Sequence, residues 1–274
     1  MPKAVQWLVT LVVVLAVLKL LVWWLEPRMA FYPIRGVQDT PARFNLPFAD
    51  VRIPTSDGET LHAWWLEHPQ ARAQVIFFHG NGGNLSLWLD VIAEQRQRGF
   101  SVLAVDYRGY GASTGTAGER GLYLDAEASV RLFHERFRKA GVPVIFWGRS
   151  IGVAPAASAT GQTAPDGLVL ESPFPDIGAA LRGNPVMRAL SLLSSYEFPT
   201  SRLMEQYDGP LLVIHGDRDV LIPYAAGREL FERSRSTPKE FVTIEGAEHN
   251  DLHVVNPKAY WAAIDRFVAG IGKT

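Results

Sequence analysis

Three kinds of hydrophobic pattern succeed one another along this chain. The first is an almost unbroken apolar run. Residues 5–25 read VQWLVTLVVVLAVLKLLVWWL, with Lys19 the single charge. As a helix these 21 residues would span about 31 Å, close to the roughly 30 Å of a bilayer hydrocarbon core. The second pattern starts at residue 49. Short, mostly apolar runs at 49–53, 61–66, 74–78, 101–105, 142–147, 168–170, 211–214 and 241–244 read as strands. A turn at Ser56-Asp57-Gly58 joins the first two. The third pattern is amphipathic, at 85–97, 118–139, 151–159, 224–233 and 257–268, and reads as helices between the strands. Strands buried on both faces are expected to be wholly apolar, and their alternation with helices predicts a mostly parallel, eight-stranded sheet covered on both sides. The rhythm breaks once, around residues 172–209, too long for a plain crossover. Val186, Met187, Leu190, Leu192 and Leu193 predict a short helix there, and the insertion is expected to form a small cap. The chain thus divides into an N-terminal membrane anchor (1–26), a connector rich in proline and aromatics (27–48) and one α/β domain (49–274).

The first run is read as an uncleaved signal anchor, a single-pass membrane helix. A cleaved signal peptide would have a shorter apolar core closed by an A-x-A-like site, and none follows Leu25. Trp7, Trp23 and Trp24 lie near its ends, where amphipathic rings favour the interface. Lys19 lies toward one end and can snorkel. Lys3 flanks one side and Arg28 and Arg35 the other, so charge sets no strong orientation. The usual arrangement of such anchors puts the large domain on the non-cytoplasmic side.

Composition narrows the chemistry. Lys+Arg (27) nearly balances Asp+Glu (28), with no basic cluster, so nucleic acid is not an expected partner. There is no cysteine, which excludes disulfides, thiolate metal sites and a cysteine nucleophile. Gly148-Arg149-Ser150-Ile151-Gly152 falls where a strand meets a helix. In that setting G-x-S-x-G forms a sharp turn that lifts the serine hydroxyl above the sheet edge. A serine needs a base, and a histidine on a late loop, oriented by a carboxylate, supplies one. His249 follows the strand at 241–244, and Asp219 follows the strand at 211–214. Both therefore lie at carboxyl ends of strands, where open α/β sheets place their sites. The rivals are His253 for the base and Asp217 or Asp251 for the acid; Asp217 also suits a turn cap and Asp251 a helix start. His62, His68, His134 and His215 fall on strands, loops or a helix with no such context. The developing alkoxide needs two N–H donors. Candidates are the backbone N–H of Ile151, after the nucleophile, and that of Asn81, in the loop His79-Gly80-Asn81-Gly82-Gly83-Asn84. That loop lacks the G-K-[ST] and G-x-G-x-x-G spacings of nucleotide-binding loops.

The stretches 79–84, 106–113 (DYRGYGAS), 148–152, 215–219 (HGDRD) and 246–250 (GAEHN) together resemble the α/β-hydrolase superfamily, and within it the membrane-anchored Bem46-type serine hydrolases. The resemblance covers about residue 49 to the end. It implies an α/β-hydrolase fold, with Ser150, Asp219 and His249 as a triad. It further implies hydrolysis of carboxylic esters or thioesters through an acyl-enzyme, with no metal or organic cofactor. Small acyl esters or thioesters, a lipid or an acylated protein would be the substrate partners. A serine peptidase of the same fold and a catalytically silent, membrane-anchored binding domain are the alternatives.

Overall fold

The computed structural model describes residues 2–271. A long helix, α1 (Lys3–Ala30), leads into the domain. Besides a two-residue parallel pairing of Tyr32–Pro33 with Gly82–Gly83, eight strands follow: β1 (Ala49–Pro54), β2 (Thr60–Leu66), β3 (Ala73–Phe78), β4 (Phe100–Asp106), β5 (Val144–Arg149), β6 (Gly167–Glu171), β7 (Leu211–Gly216) and β8 (Lys239–Ile244). They form one sheet in the order β8-β7-β6-β5-β3-β4-β2-β1. β1 and β2 pair antiparallel, as do β2 and β4; every other pairing is parallel. This is the α/β-hydrolase architecture, a mixed and mostly parallel sheet.

Side-chain alternation along the central strands divides the core in two. Ile76 and Phe78 of β3 feed one layer, Val75 and Phe77 the other, and all four are fully buried. On the first face the sheet is covered by α3 (Glu119–Arg136), α4 (Val153–Thr160) and α8 (Tyr224–Arg233), through Leu122, Ala126, Ala156 and Leu230. On the second lie α2 (Leu89–Gln97) and α10 (Pro257–Ile271), through Ile92, Tyr260 and Ile264. Each large apolar side chain so buried contributes about 1.5–3 kcal/mol relative to exposure. Phe78 pairs with Gly148, Arg149 with Glu171, Glu171 with Ile214 and Gly216 with Ile244. The carboxyl ends of β5, β6, β7 and β8 are thereby brought level on one rim.

Between β6 and β7 the chain forms α5 (Ile177–Ala180), α6 (Pro185–Ser191) and α7 (Thr200–Leu203). Asp176 and Asn184 cap the first two, their side-chain oxygens accepting the N–H groups of Ala179 and Met187. Helix α1 is exposed from Lys3 through Leu21 and partly covered at Val22, Leu25, Pro27 and Ala30; Glu26 is buried, and its carboxylate accepts the N–H of Ser195 at 2.5 Å and also the Ser195 hydroxyl.

Several boundaries differ from the pattern-based expectation. Helix α1 does not stop at residue 26 but continues through Pro27 to Ala30. Helix α2 begins at Leu89, not 85, because Asn84 draws the preceding residues into turns: its Oδ1 accepts the N–H of Ser86 and its carbonyl that of Leu87. Strand β5 starts and ends two residues late, so that the strand itself delivers Gly148 and Arg149 to the turn. The helix expected from 151 opens as a single 3-10 turn, Ser150–Gly152, before α4.

Candidate active site

Ser150 follows β5 directly, with φ of 55°, in the left-handed region that costs a non-glycine residue about 1–3 kcal/mol. Packing on both sides enforces this backbone. A Cβ on Gly148 would lie 2.5 Å from the Gly152 carbonyl oxygen, and one on Gly152 only 2.1 Å from that of Phe78. The elbow is therefore pressed flat against β3, and both flanking positions admit only glycine. The hydroxyl is held above the sheet, on a residue that is 8 % exposed.

The rim brings Ser150, His249 and Asp219 together. His249 Nε2 lies 2.9 Å from Ser150 Oγ, and His249 Nδ1 lies 2.7 Å from Asp219 Oδ2. An ionised carboxylate only accepts, so Nδ1 carries the imidazole proton and donates it to Asp219, leaving Nε2 to accept from the Ser150 hydroxyl. The other Asp219 oxygen accepts the N–H groups of Leu221 (3.0 Å) and Ile222 (2.8 Å). Burial alone would raise the Asp219 pKa. Hydrogen bonds from His215 and His249 outweigh it and hold the carboxyl well below the ordinary carboxylate range. It therefore stays ionised at neutral pH.

The rivals serve the loop that carries His249. Asp217 accepts the N–H of Gly246 at 2.6 Å, and Asp251 accepts that of Glu248 at 2.7 Å, bracing the loop before and after it. His253, on α9 (Leu252–Val255), packs its ring near Tyr260, and burial, aided by the charge of Arg149, lowers its pKa. His62 bridges Asp50 and Asp106, and His215 Nε2 donates to the carbonyl of Ile222.

The loop after β3 lies against the elbow: a Cβ on Gly80 would meet Ser150 Cβ at 3.7 Å and the Trp88 ring at 2.9 Å. The Gly80–Asn81 peptide carries the Asn81 N–H on one edge. Its carbonyl, on the opposite edge of a trans peptide, accepts from His79 Nδ1 at 2.6 Å. The Asn81 carbonyl accepts the Tyr32 N–H (3.1 Å) and the Tyr110 hydroxyl (2.8 Å), and the Asn81 side-chain amide donates to the carbonyl of Ala30, the last residue of α1 (3.2 Å). The loop's backbone is thus clamped from three directions. Ile151 opens the turn after the serine.

Arg149 escaped the sequence reading, because the variable position of a G-x-S-x-G stretch gives no signal of its own. It is 1 % exposed; one guanidinium nitrogen lies 3.5 Å from Glu171, and another donates to the carbonyl of His249 at 3.3 Å. The guanidinium stacks over the Trp88 ring, 5.0 Å from its centroid. Glu171 in turn accepts the Trp147 indole N–H and the Tyr260 hydroxyl, each at 2.6 Å. A charge pair this deep sits beneath the elbow and ties it to the histidine loop. Breaking such a pair from one side leaves an uncompensated buried charge.

Comparison with known proteins agrees with this architecture. The family model described as serine aminopeptidase S33 matches residues 69–209 and 200–253. An uncharacterized membrane protein of Saccharomyces cerevisiae is 30% identical over 245 residues, covering 85% of this chain and 84% of its own. The bem46 protein of Schizosaccharomyces pombe is 27% identical over 242 residues, covering 84% and 79%. Among solved structures, the Pyrococcus furiosus esterase Pf2001 superposes with a TM-score of 0.72 at 22% identity, over 88% of this chain and 98% of its own.

Proposed function

The chain belongs to the α/β-hydrolase family, and from that premise we propose that it is a membrane-tethered serine hydrolase that cleaves carboxylic esters or thioesters. The observation that carries the reading is the unbroken relay Ser150–His249–Asp219, at 2.9 and 2.7 Å. The esterase among its structural neighbours agrees with the choice of substrate class.

Ser150 Oγ attacks the acyl carbonyl carbon as His249 Nε2 takes its proton. The imidazolium that forms is stabilised by the Asp219 carboxylate, which keeps its own charge. The carbonyl oxygen, now an alkoxide, is held by the backbone N–H groups of Asn81 and Ile151. Each such donor is worth about 10²–10³ in rate. Collapse of the tetrahedral species expels the alcohol or thiol, which receives the proton from His249. Water, deprotonated by the same imidazole, then attacks the acyl-enzyme and regenerates Ser150. No step requires a metal or an organic cofactor. Helix α1 acts as a single-pass anchor, and the helices between β6 and β7 form a cap beside the serine. The catalytic domain is placed on the non-cytoplasmic face by the usual arrangement of such anchors.

Hydrolysis of p-nitrophenyl acetate tests the proposal. Ser150→Ala should lose all but the residual rate that binding and the oxyanion donors sustain, about 10³–10⁴ over water. A variant as fast as the parent excludes Ser150 as the nucleophile. Adding an aminoacyl p-nitroanilide to the panel separates the esterase reading from the aminopeptidase activity that names the family model.

A further inference from the structure

We propose that an apolar groove between α1 and the helices after β6 holds the fatty acyl chain of an ester lipid resident in the same bilayer leaflet, and that this lipid is the substrate of the Ser150 site. The inference rests on the hydrolase reading above and names its substrate class.

The groove encloses about 290 Å³. Leu18, Leu21 and Leu25 of α1 form one wall, and Leu181, Met187 and Leu190 the other. Three observations identify the occupant. First, Leu18, Leu21 and Leu25 belong to the apolar run long enough to cross a membrane. A cavity with that wall opens at bilayer depth, where hydrocarbon chains, not water or soluble ligands, are the surrounding medium. Second, the outer side of the facing segment is also apolar and uncovered: Val186 is 66% exposed and Leu192 86%. Solvated side chains of this kind, next to a membrane helix, favour immersion of α6 in the acyl region. Third, one end of the groove adjoins the loop beside Ser150 through a single residue. Ala30 lines it, the Ala30 carbonyl accepts the Asn81 side-chain amide at 3.2 Å, and Asn81 follows Gly80, which lies against Ser150. The two walls are pinned by the buried Glu26 carboxylate on Ser195. In the proposal the acyl chain enters the groove laterally from the leaflet, and its ester end passes Ala30 and the Asn81 loop to reach Ser150.

The test uses the full chain reconstituted in vesicles of diether phosphatidylcholine, which has no cleavable ester. Dioleoylglycerol in the vesicles probes the groove, a palmitoylated peptide in the vesicles probes the rival occupant, and p-nitrophenyl acetate in water probes the triad alone. Ser191, at the end of α6, also lines the groove; Ser191→Trp and, from the opposite wall, Leu21→Trp fill it without touching the triad. The expected result is release of oleate by the parent, a drop of about tenfold or more in both variants, and unchanged acetate hydrolysis. Unchanged oleate release in both variants overturns the proposal. So does a parent that cleaves acetate but no dioleoylglycerol, or only the palmitoylated peptide; the hydrolase reading survives these results. A parent that cleaves none of the three overturns both.

Discussion

At the scale of single residues, the site is a set of constraints imposed on three side chains. Ser150 is held at positive φ because Gly148 and Gly152 let the elbow press onto β3. His249 is fixed at both ring nitrogens and by the Arg149 guanidinium on its backbone carbonyl. Asp219 is ionised: one oxygen accepts two backbone N–H groups, and the other faces His249 at 2.7 Å and His215 at 3.4 Å. Asp219→Asn keeps the shape but turns an acceptor into a group that can donate, which favours the wrong imidazole tautomer. Its kcat for a short ester should fall by about 10⁴-fold with little change in fold, read by steady-state kinetics alongside circular dichroism. A fall of less than tenfold would assign the carboxylate role elsewhere, with Asp217 the nearest candidate in sequence.

At the scale of elements, the central strands were legible because strands covered on both faces are built from apolar runs, and the edge strand β1 because its buried and exposed positions alternate. The helix starts were less legible. Turns made by Asn84 with Ser86 and Leu87 delay α2, and no periodicity reports a side chain that bonds its own backbone. Ser150, Asp219 and His249 were readable because each follows a strand in a recognisable order. Their supports were not. Arg149, Glu171 and His79 act through partners distant in sequence, and only the fold shows those partners. The end of β4 illustrates this. Asp106 accepts the N–H of Leu85 and faces both His62 and His79, so it links β2 to the segment after β3, while His62 reaches on to Asp50 of β1. Burial pulls the His62 pKa down, but hydrogen bonds to Asp106 and Asp50 outweigh it and leave it above the ordinary imidazole value. A histidine raised in the folded state contributes stability that is fully present below the unfolded value of about 6.5 and is lost as pH rises through the folded value. Urea midpoints should therefore decline as pH rises above about 6.5, and His62→Asn should flatten that decline. An identical pH slope in the variant would remove His62 from the account.

At the scale of the whole molecule, the chain couples an exposed apolar helix to a site on the sheet's rim. Helix α1 is joined to the domain at Glu26–Ser195 and at Ala30–Asn81, so the anchor ends beside the loop that faces Ser150. Helix α1 is long and apolar enough to cross a bilayer, and the span is not buried against the domain. The full chain should stay with membranes through extraction by sodium carbonate and by high salt, and should be released only by detergent; release by carbonate would make α1 a peripheral contact instead. The sequence showed α1 as a run of apolar residues, but its seam with the helices after β6 emerges only in three dimensions. The central claim is that Ser150 is an activated nucleophile, and covalent labelling tests it most directly. A fluorophosphonate probe followed by peptide mass spectrometry should place the adduct on Ser150 in the parent and on no serine in Ser150→Ala. A folded parent that takes up no probe, or an adduct that persists undiminished in the variant, would contradict the account.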